Sequence, residues 1–239
     1  MNAEDIRARL LYRDAMMLVI DKPAGLAVHA GNRSDHHLGQ YLDALSFGLP
    51  NPPELAHRLD RDTSGCLVLG RHRQALRRLG ALFTHGRIEK VYWAVTLGDP
   101  PAESGVIDRP LAKVGPAWSW KVKIDDTGQP SVTEWRCLGR APGLAWIECR
   151  PKSGRTHQLR VHLASIGCPI LGDRTYGRSA EGEEQRPLHL HARSVTIPLY
   201  PNKPPVTATA PVPAHLRAAL TACGWSGETA PTDQAVATS

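Results

Sequence analysis

The residues best suited to chemistry lie in the stretch 56–71, AHRLDRDTSGCLVLGR. Asp60 sits there in a short polar loop, with Asp62 two positions on and Thr63-Ser64-Gly65 behind it. The two hydroxyls can bond nearby backbone and the glycine is free of Cβ restrictions, so the loop carries its own turn chemistry. A carboxylate at the tip of such a turn is fixed from below yet open to a ligand. Capping the turn is the plainer use of the same residue. Farther on, Lys152-Ser153-Gly154-Arg155-Thr156 is a basic turn ahead of His157 and Arg160. His189-x-His191 would put two histidines on one face of a strand, a metal geometry without a third ligand at definite spacing.

These residues need a frame. Residues 66–69 form a short apolar run bounded by Gly65 and Gly70, the pattern of a buried strand, so the Asp60 loop joins two extended segments. Upstream, residues 1–15 read as a helical or loose lead-in. Residues 16–20 read as a strand that ends at Asp21-Lys22-Pro23, and 25–29 as a second strand. Ser34-Asp35 can cap a helix over 36–45, with Leu38, Tyr41, Leu42 and Leu45 on one face.

Downstream, 72–85 reads as an amphipathic helix with an apolar stripe of Leu76, Leu79, Leu82 and Phe83 and with Gly86 as C-cap. Arg71, Arg73, Arg77 and Arg78 crowd its flanks, as a solvated face or a phosphate-contacting one. Residues 89–97 alternate as a strand, Val91, Trp93 and Val95 opposite Tyr92, Ala94 and Thr96. Turn residues dominate 98–128, where Trp118 and Trp120 could stack on bases or pack in the core.

A hairpin of 131–138 and 144–150 turns around 139–143, and a helix over 157–166 buries Leu159, Leu163 and Ile166 while His157 and Arg160 share another face. A polar loop over 177–187, a strand over 188–197 and a proline-rich extended path over 198–213 complete the body. Strands and helices without βαβ regularity indicate α+β with a largely antiparallel sheet. The expected layout is a lead-in over 1–15, one catalytic domain over 16–226 and a disordered tail over 227–239.

The totals fit. A chain of 239 residues, 41% hydrophobic and 22% charged, is long enough for a full core and is not disordered overall. A net charge of +6 favours an anionic partner, nucleic acid first. Five scattered cysteines without CxxC spacing point to reduced, buried thiols. With no apolar leader and no run of membrane-span length, a soluble, cytoplasmic protein is expected.

Three chemistries compete for Asp60. Asp60-x-Asp62-Thr63 resembles the DxDxT loop of haloacid-dehalogenase phosphatases, but residues 54–59 make a poor apolar strand and a late acidic pair for Mg²⁺ is missing. A histidine-based metal hydrolase lacks its third ligand. The third chemistry rests on a resemblance that runs the length of the chain. Residues 57–65, HRLDRDTSG, resemble the HRLDxxTSG signature of the RluA-type pseudouridine synthases. Lys22-Pro23-Ala24-Gly25-Leu26 is similar to that family's KPxGL opening, Lys90-Val91-Tyr92 to its KxY strand, and residues 154–160 to its GRTHQLR helix start. Gly172-Asp173-x-x-Tyr176-Gly177 and Leu188-His189-Leu190-His191-Ala192 follow in the family's order.

The resemblance implies a pseudouridine synthase fold: a mixed, largely antiparallel central sheet with flanking helices and a cleft across its middle. It implies isomerisation of a uridine in RNA, with Asp60 as the catalytic carboxylate, Tyr92 lining the pocket and Arg160 paired with Asp60. Leu190 would wall the pocket. His157 and Arg58 would contact substrate, Arg58 filling the gap left by the extruded base or holding a phosphate, unless it serves in a structural ion pair. No metal or organic cofactor is implied. The expected partner is a tRNA or a 23S-type large-subunit rRNA stem-loop, with no DNA and no membrane, bound by a monomer. A non-catalytic RNA-binding or chaperone protein on the same scaffold is the rival reading.

Overall fold

The structure, a computed structural model, describes residues 1–30, 36–115, 121–177 and 186–228. The expected cap at Ser34-Asp35, Trp118 and Trp120, most of the 177–187 loop and nearly all of the tail lie outside these residues. The chain divides into two compact units: 1–90 with 192–211 and 228–239, and 91–191 with 212–227.

The first unit opens with α1 (Ala3–Arg7), β1 (Leu10–Arg13) and β2 (Met17–Lys22), then a 3-10 helix (Leu38–Leu45), β3 (Glu54–Leu55), β4 (Ser64–Gly70) and α2 (Arg73–Thr84). β5 (Glu89–Leu97) leads into the second unit, followed by β6 (Ser104–Asp108), β7 (Leu111–Lys113), β8 (Val122–Ile124), β9 (Val132–Ala141), β10 (Leu144–Pro151) and α3 (Gln158–Ser165). β11 (Leu190–Ile197) and β12 (Val206–Thr209) return to the first unit, and α4 (Ala214–Ala222) belongs to the second.

In the first unit β1, β2 and β4 lie side by side, β3 runs beside β4, and β12 pairs with β11. Seven consecutive buried residues explain why β4 reads as an unbroken apolar run. Helix α2 presses Ala75, Leu79, Leu82 and Phe83 toward a core of Met17, Val19, Cys66 and Val68.

In the second unit β5, β10, β9 and β6 form an antiparallel array, and β7 pairs with β8 apart from it. The expected alternation along β5 holds. Tyr92 and Ala94 face a core that contains Leu159 and Leu163 of α3, while Trp93, Val95 and Leu97 face Leu216 and Leu220 of α4.

Several expectations are corrected. The lead-in contains a strand, β1, because Leu10, Leu11 and Tyr12 find a pairing edge on β2. Residues 25–29 contribute one bridge, Ala27 to His37, instead of a strand. The helix expected over 36–45 is a 3-10 helix. The turn-rich region 98–128 holds three short strands, each fastened by a partner outside its own sequence neighbourhood or across a hairpin. The 131–150 hairpin is longer than expected, so Pro142 and Gly143 alone separate its strands. The proline-rich path contains β12, and α4 was not foreseen. Helix α3 is buried over all of Gln158 to Leu163 instead of along one stripe.

Candidate active site

Asp60 lies at the turn between β3 and β4, half-buried, with its carbonyl accepting the Thr63 amide at 3.2 Å. Leu59 before it and Thr63 and Ser64 after it are buried, so the loop is anchored on both sides. Gly65 has φ +105°, and a Cβ there would stand 2.2 Å from the Ala192 carbonyl oxygen of β11. Only glycine lets the chain leave the loop and enter the sheet at this point.

The strongest anchor is Lys22. Its side chain is fully buried, and Nζ donates to the carbonyls of Pro23 (2.8 Å), Leu26 (2.9 Å) and Arg61 (3.0 Å). The Gly25 amide donates to the same Arg61 carbonyl at 2.9 Å, and Arg61 Nε donates back to the Gly25 carbonyl at 3.2 Å. Since β2 and β4 pair with Lys22 opposite Gly65, the KPxGL segment and the Asp60 loop are laced together. Burial pushes the Lys22 ammonium down to about 7, against the pull of Asp62, Asp60 and Asp21. Its neighbour Asp21 is pushed up to about 6 by burial, with Arg9 and Lys22 opposing.

His57 fixes the approach to the loop. Its Nε2 accepts the Val68 amide at 3.0 Å and its ring stacks on Phe83 of α2 with centroids 4.4 Å apart. Burial, aided by Lys90, pushes it down to about 3, so it stays a neutral acceptor. Arg58 is exposed.

The other candidates belong to the second unit. Arg160, on α3, is buried, and its fork is bidentate with Asp173: Nε to Oδ2 at 2.7 Å and Nη2 to Oδ1 at 2.8 Å. The Tyr176 ring lies 5.2 Å from the guanidinium carbon. Asp173 also accepts the Thr175 and Tyr176 amides at 2.9 and 3.1 Å. Burial alone would raise its carboxyl, but Arg160 and the two amides outweigh that and hold it below its ordinary value.

Tyr176 Oη bonds His157 Nδ1 at 2.9 Å and accepts the Val122 amide at 2.9 Å. His157 is left-handed at φ 53°, immediately before α3. The helix is further locked by Gln158, which donates to the Val132 carbonyl and Thr133 Oγ1, and by His162, bonded to Thr133 Oγ1 and the Arg109 carbonyl. Thus the GDxxYG turn closes around the GRTHQLR helix start.

Tyr92 is half-buried and packs on the core that holds Leu159 and Leu190, so the structure brings these three together. Arg160 and His157 meet through Asp173 and Tyr176. Asp60 and Arg58 belong to the first unit. Sequence reasoning assigned no role to Lys22, Asp173 or Tyr176, although all three stand inside the quoted motifs. A lysine and an aspartate within otherwise apolar, glycine-punctuated segments were the available signal.

Among the described residues no three His, Cys, Asp or Glu side chains are grouped to hold a metal. His189 Nδ1 donates to the Pro187 carbonyl at 2.8 Å, and the ring sits edge-on to His215. No helix among them is long and apolar enough to cross a membrane.

Residues 16–165 match the family described as RNA pseudouridylate synthase. An uncharacterised RNA pseudouridine synthase of Zymomonas mobilis is 44% identical over 207 residues, covering 86% of this chain and 94% of that protein. Ribosomal large subunit pseudouridine synthase C of Vibrio cholerae is 36% identical over 220 residues, 89% of this chain and 68% of that one. Among solved structures, human RNA pseudouridylate synthase domain containing 4 superposes with a TM-score of 0.77 at 29% identity, over 92% of this chain and 95% of that chain. With its antiparallel α+β architecture and its ordered motifs, the chain belongs to the RluA-type RNA pseudouridine synthases and is an isomerase acting on RNA.

Proposed function

We propose that Asp60 is the catalytic nucleophile, that Tyr92 and Arg160 complete the reacting site, and that the target uridine lies in large-subunit rRNA. The reaction breaks the bond from uracil N1 to ribose C1′, turns the ring and forms the bond from C5 to C1′; the C5 proton is released, N1 takes up a proton, and the bond that Asp60 makes is broken again before the product leaves. Atoms balance without oxidant, reductant or energy input, so an ionised carboxylate and a proton acceptor suffice. What supports Asp60 is its setting: a carboxylate on a turn held at both flanks and laced to the buried Lys22 keeps its position while the ring moves. Arg160 would pair with Asp60 in that site. The nucleotide must leave its stack to be turned. Arg58 and His157 would then contact the RNA, and Leu190 would wall the base pocket.

The rRNA assignment follows the names of relatives, two of which are large-subunit synthases C and D; tRNA is the second arm of the test. The acting body is residues 16–226, a cytoplasmic monomer that binds RNA and not DNA. Transcripts of both RNAs carrying tritium at uridine C5 are incubated with the purified protein. Wild type should release tritium from rRNA, in EDTA as well as without it, and Asp60→Asn should fold and bind RNA but release none. Appreciable turnover by Asp60→Asn would refute the nucleophile. RNA binding without tritium release by wild type would favour the chaperone reading.

A further inference from the structure

We propose that the outward face of α2 is a docking track for the sugar–phosphate backbone of the substrate RNA, running away from the target uridine. This presupposes the RNA substrate and adds where its flanking strand lies. Helix α2, RQALRRLGALFT, has three arginines and no acid. Its inner face is spent on Ala75, Leu79, Leu82 and Phe83. Helical periodicity lines up Arg73, Arg77, Gly80 and Thr84 on the opposite side. Arg73, Arg77 and Thr84 are exposed.

Some arginines of this chain find acids (Arg140 binds Asp99 and Glu103, Arg193 binds Glu228, Arg9 binds Asp21), while others, such as Arg13, Arg87 and Arg217, have no ion pair among the described residues. Arg78 lies on the flank of α2, near enough to Tyr200 to act on it electrostatically. Arg73 and Arg77 have no ion pair among the described residues. Two adjacent, uncompensated guanidiniums on a rigid helix are a ready fit for phosphates.

Gly80 supplies an independent observation. Glycine is the poorest helix former after proline. Gly65 and Gly139 are demanded by neighbours that a Cβ would strike at 2.2 and 1.8 Å, but a Cβ on Gly80 would meet nothing within 4 Å. Nothing among the described residues requires a glycine there. The missing side chain leaves room for an RNA backbone to approach closely between Arg77 and Thr84.

Direction and length also fit. Phe83 stacks on His57, so the last turn of α2 lies beside the segment that carries Asp60, and Arg73 lies at the far end. Twelve residues at ~1.5 Å each span about 18 Å, roughly five phosphates of one strand at ~3.4 Å apiece.

The test compares wild type with Arg73→Gln/Arg77→Gln on an rRNA fragment that keeps the stem flanking the target. At roughly 0.1 M salt the double variant should raise Kd and KM about tenfold, and its log–log salt slope should fall by about 1.4–1.8, two contacts at ~0.7–0.9 each. Arg73→Lys/Arg77→Lys should restore most of the slope, and Gly80→Glu should reproduce the loss while circular dichroism reports an intact fold. An unchanged Kd and slope in the glutamine variant, with wild type still releasing tritium, would overturn the track and leave the enzyme assignment standing. Failure of wild type to bind or turn over RNA would instead overturn the substrate reading and the track with it.

Discussion

Each unit buries a cation within one of the family motifs, and the two are satisfied in opposite ways. Lys22 is surrounded by three backbone carbonyls and is pushed down to about 7, so its charge is on offer near neutral pH. Arg160 meets a carboxylate fork under a tyrosine ring, and a guanidinium stays protonated at any working pH. A point-charge ammonium with three donors suits the task of gathering two loop segments, 23–26 and the Asp60 loop. A planar guanidinium suits a fixed orientation. Lys22 therefore sets where a loop goes, and Arg160 sets how one side chain is aimed.

The comparison breaks most sharply at Asp173. Asp173→Ala leaves a buried guanidinium without its carboxylate and should cost about 3–5 kcal/mol in urea unfolding, whereas Arg160→Met with Asp173→Leu should cost much less. Because the folded Asp173 carboxyl lies below its ordinary value, its contribution is present above about pH 4, the unfolded value, and is lost as pH falls through the folded one. The acid side of the stability profile should flatten in Asp173→Ala. An unchanged acid limb would mean the fork stabilises nothing.

Next comes the glycine opposite Lys22. Gly65→Ala forces a side chain into φ +105° and against the Ala192 carbonyl. Strain of ~1–2 kcal/mol and overpacking of ~1–3 kcal/mol give a loss of about 2–5 kcal/mol. A melting temperature within a degree of wild type would contradict the close approach of Gly65 to the Ala192 carbonyl of β11.

The two cations also differ in how legible they were. The alternation of β5, the stripe of α2 and the antiparallel α+β class were readable, because each depends on a periodic pattern facing one core. Helix α3 was misread as one-sided since Gln158, Arg160 and His162 are polar, and their burial depends on Thr133, Asp173 and Arg109 from elsewhere in the chain. Strands β6 to β8 are short and glycine- or proline-flanked, so pairing and not local propensity makes them strands. Asp60 stood out as chemistry. Lys22, which holds its loop, did not, because a lysine gives no hint in sequence that it will be fully buried.

Lys22→Met sharpens the contrast through pH. Between about 7 and the unfolded value near 10.4, folded Lys22 has lost a proton that the unfolded chain keeps. The unfolded state binds more protons, so the wild-type stability should rise with pH across that window, by up to about 1.4 kcal/mol per unit. Below about pH 7 this contribution is flat. Lys90, pushed down to about 8 by burial, adds to the same limb in both proteins and cancels in the difference. Wild type minus Lys22→Met should therefore climb above pH 7, and the variant should lose tritium release through a loosened Asp60 loop. A difference that falls with pH would show that Lys22 is stabilised as a cation in the fold.

The smallest effect separates aiming from anchoring on the Arg160 side. Tyr176→Phe keeps a ring beside the guanidinium but removes the hydroxyl that joins His157 Nδ1 and the Val122 amide. Losing those bonds at a half-buried site should cost about 1 kcal/mol. Tyr176→Leu also removes the ring and should cost a further ~0.5–1 kcal/mol through the cation–π contact. The local consequence falls on His157, whose left-handed backbone at φ 53° persists only while its surroundings hold it. Hydrogen exchange at the first turn of α3 should speed up in Tyr176→Phe while the Arg160–Asp173 fork still protects the rest of the helix. Equal acceleration along the whole of α3 would mean that hydroxyl and fork act as one support, and the division between a loop-gathering cation and an aimed one would lose its second half.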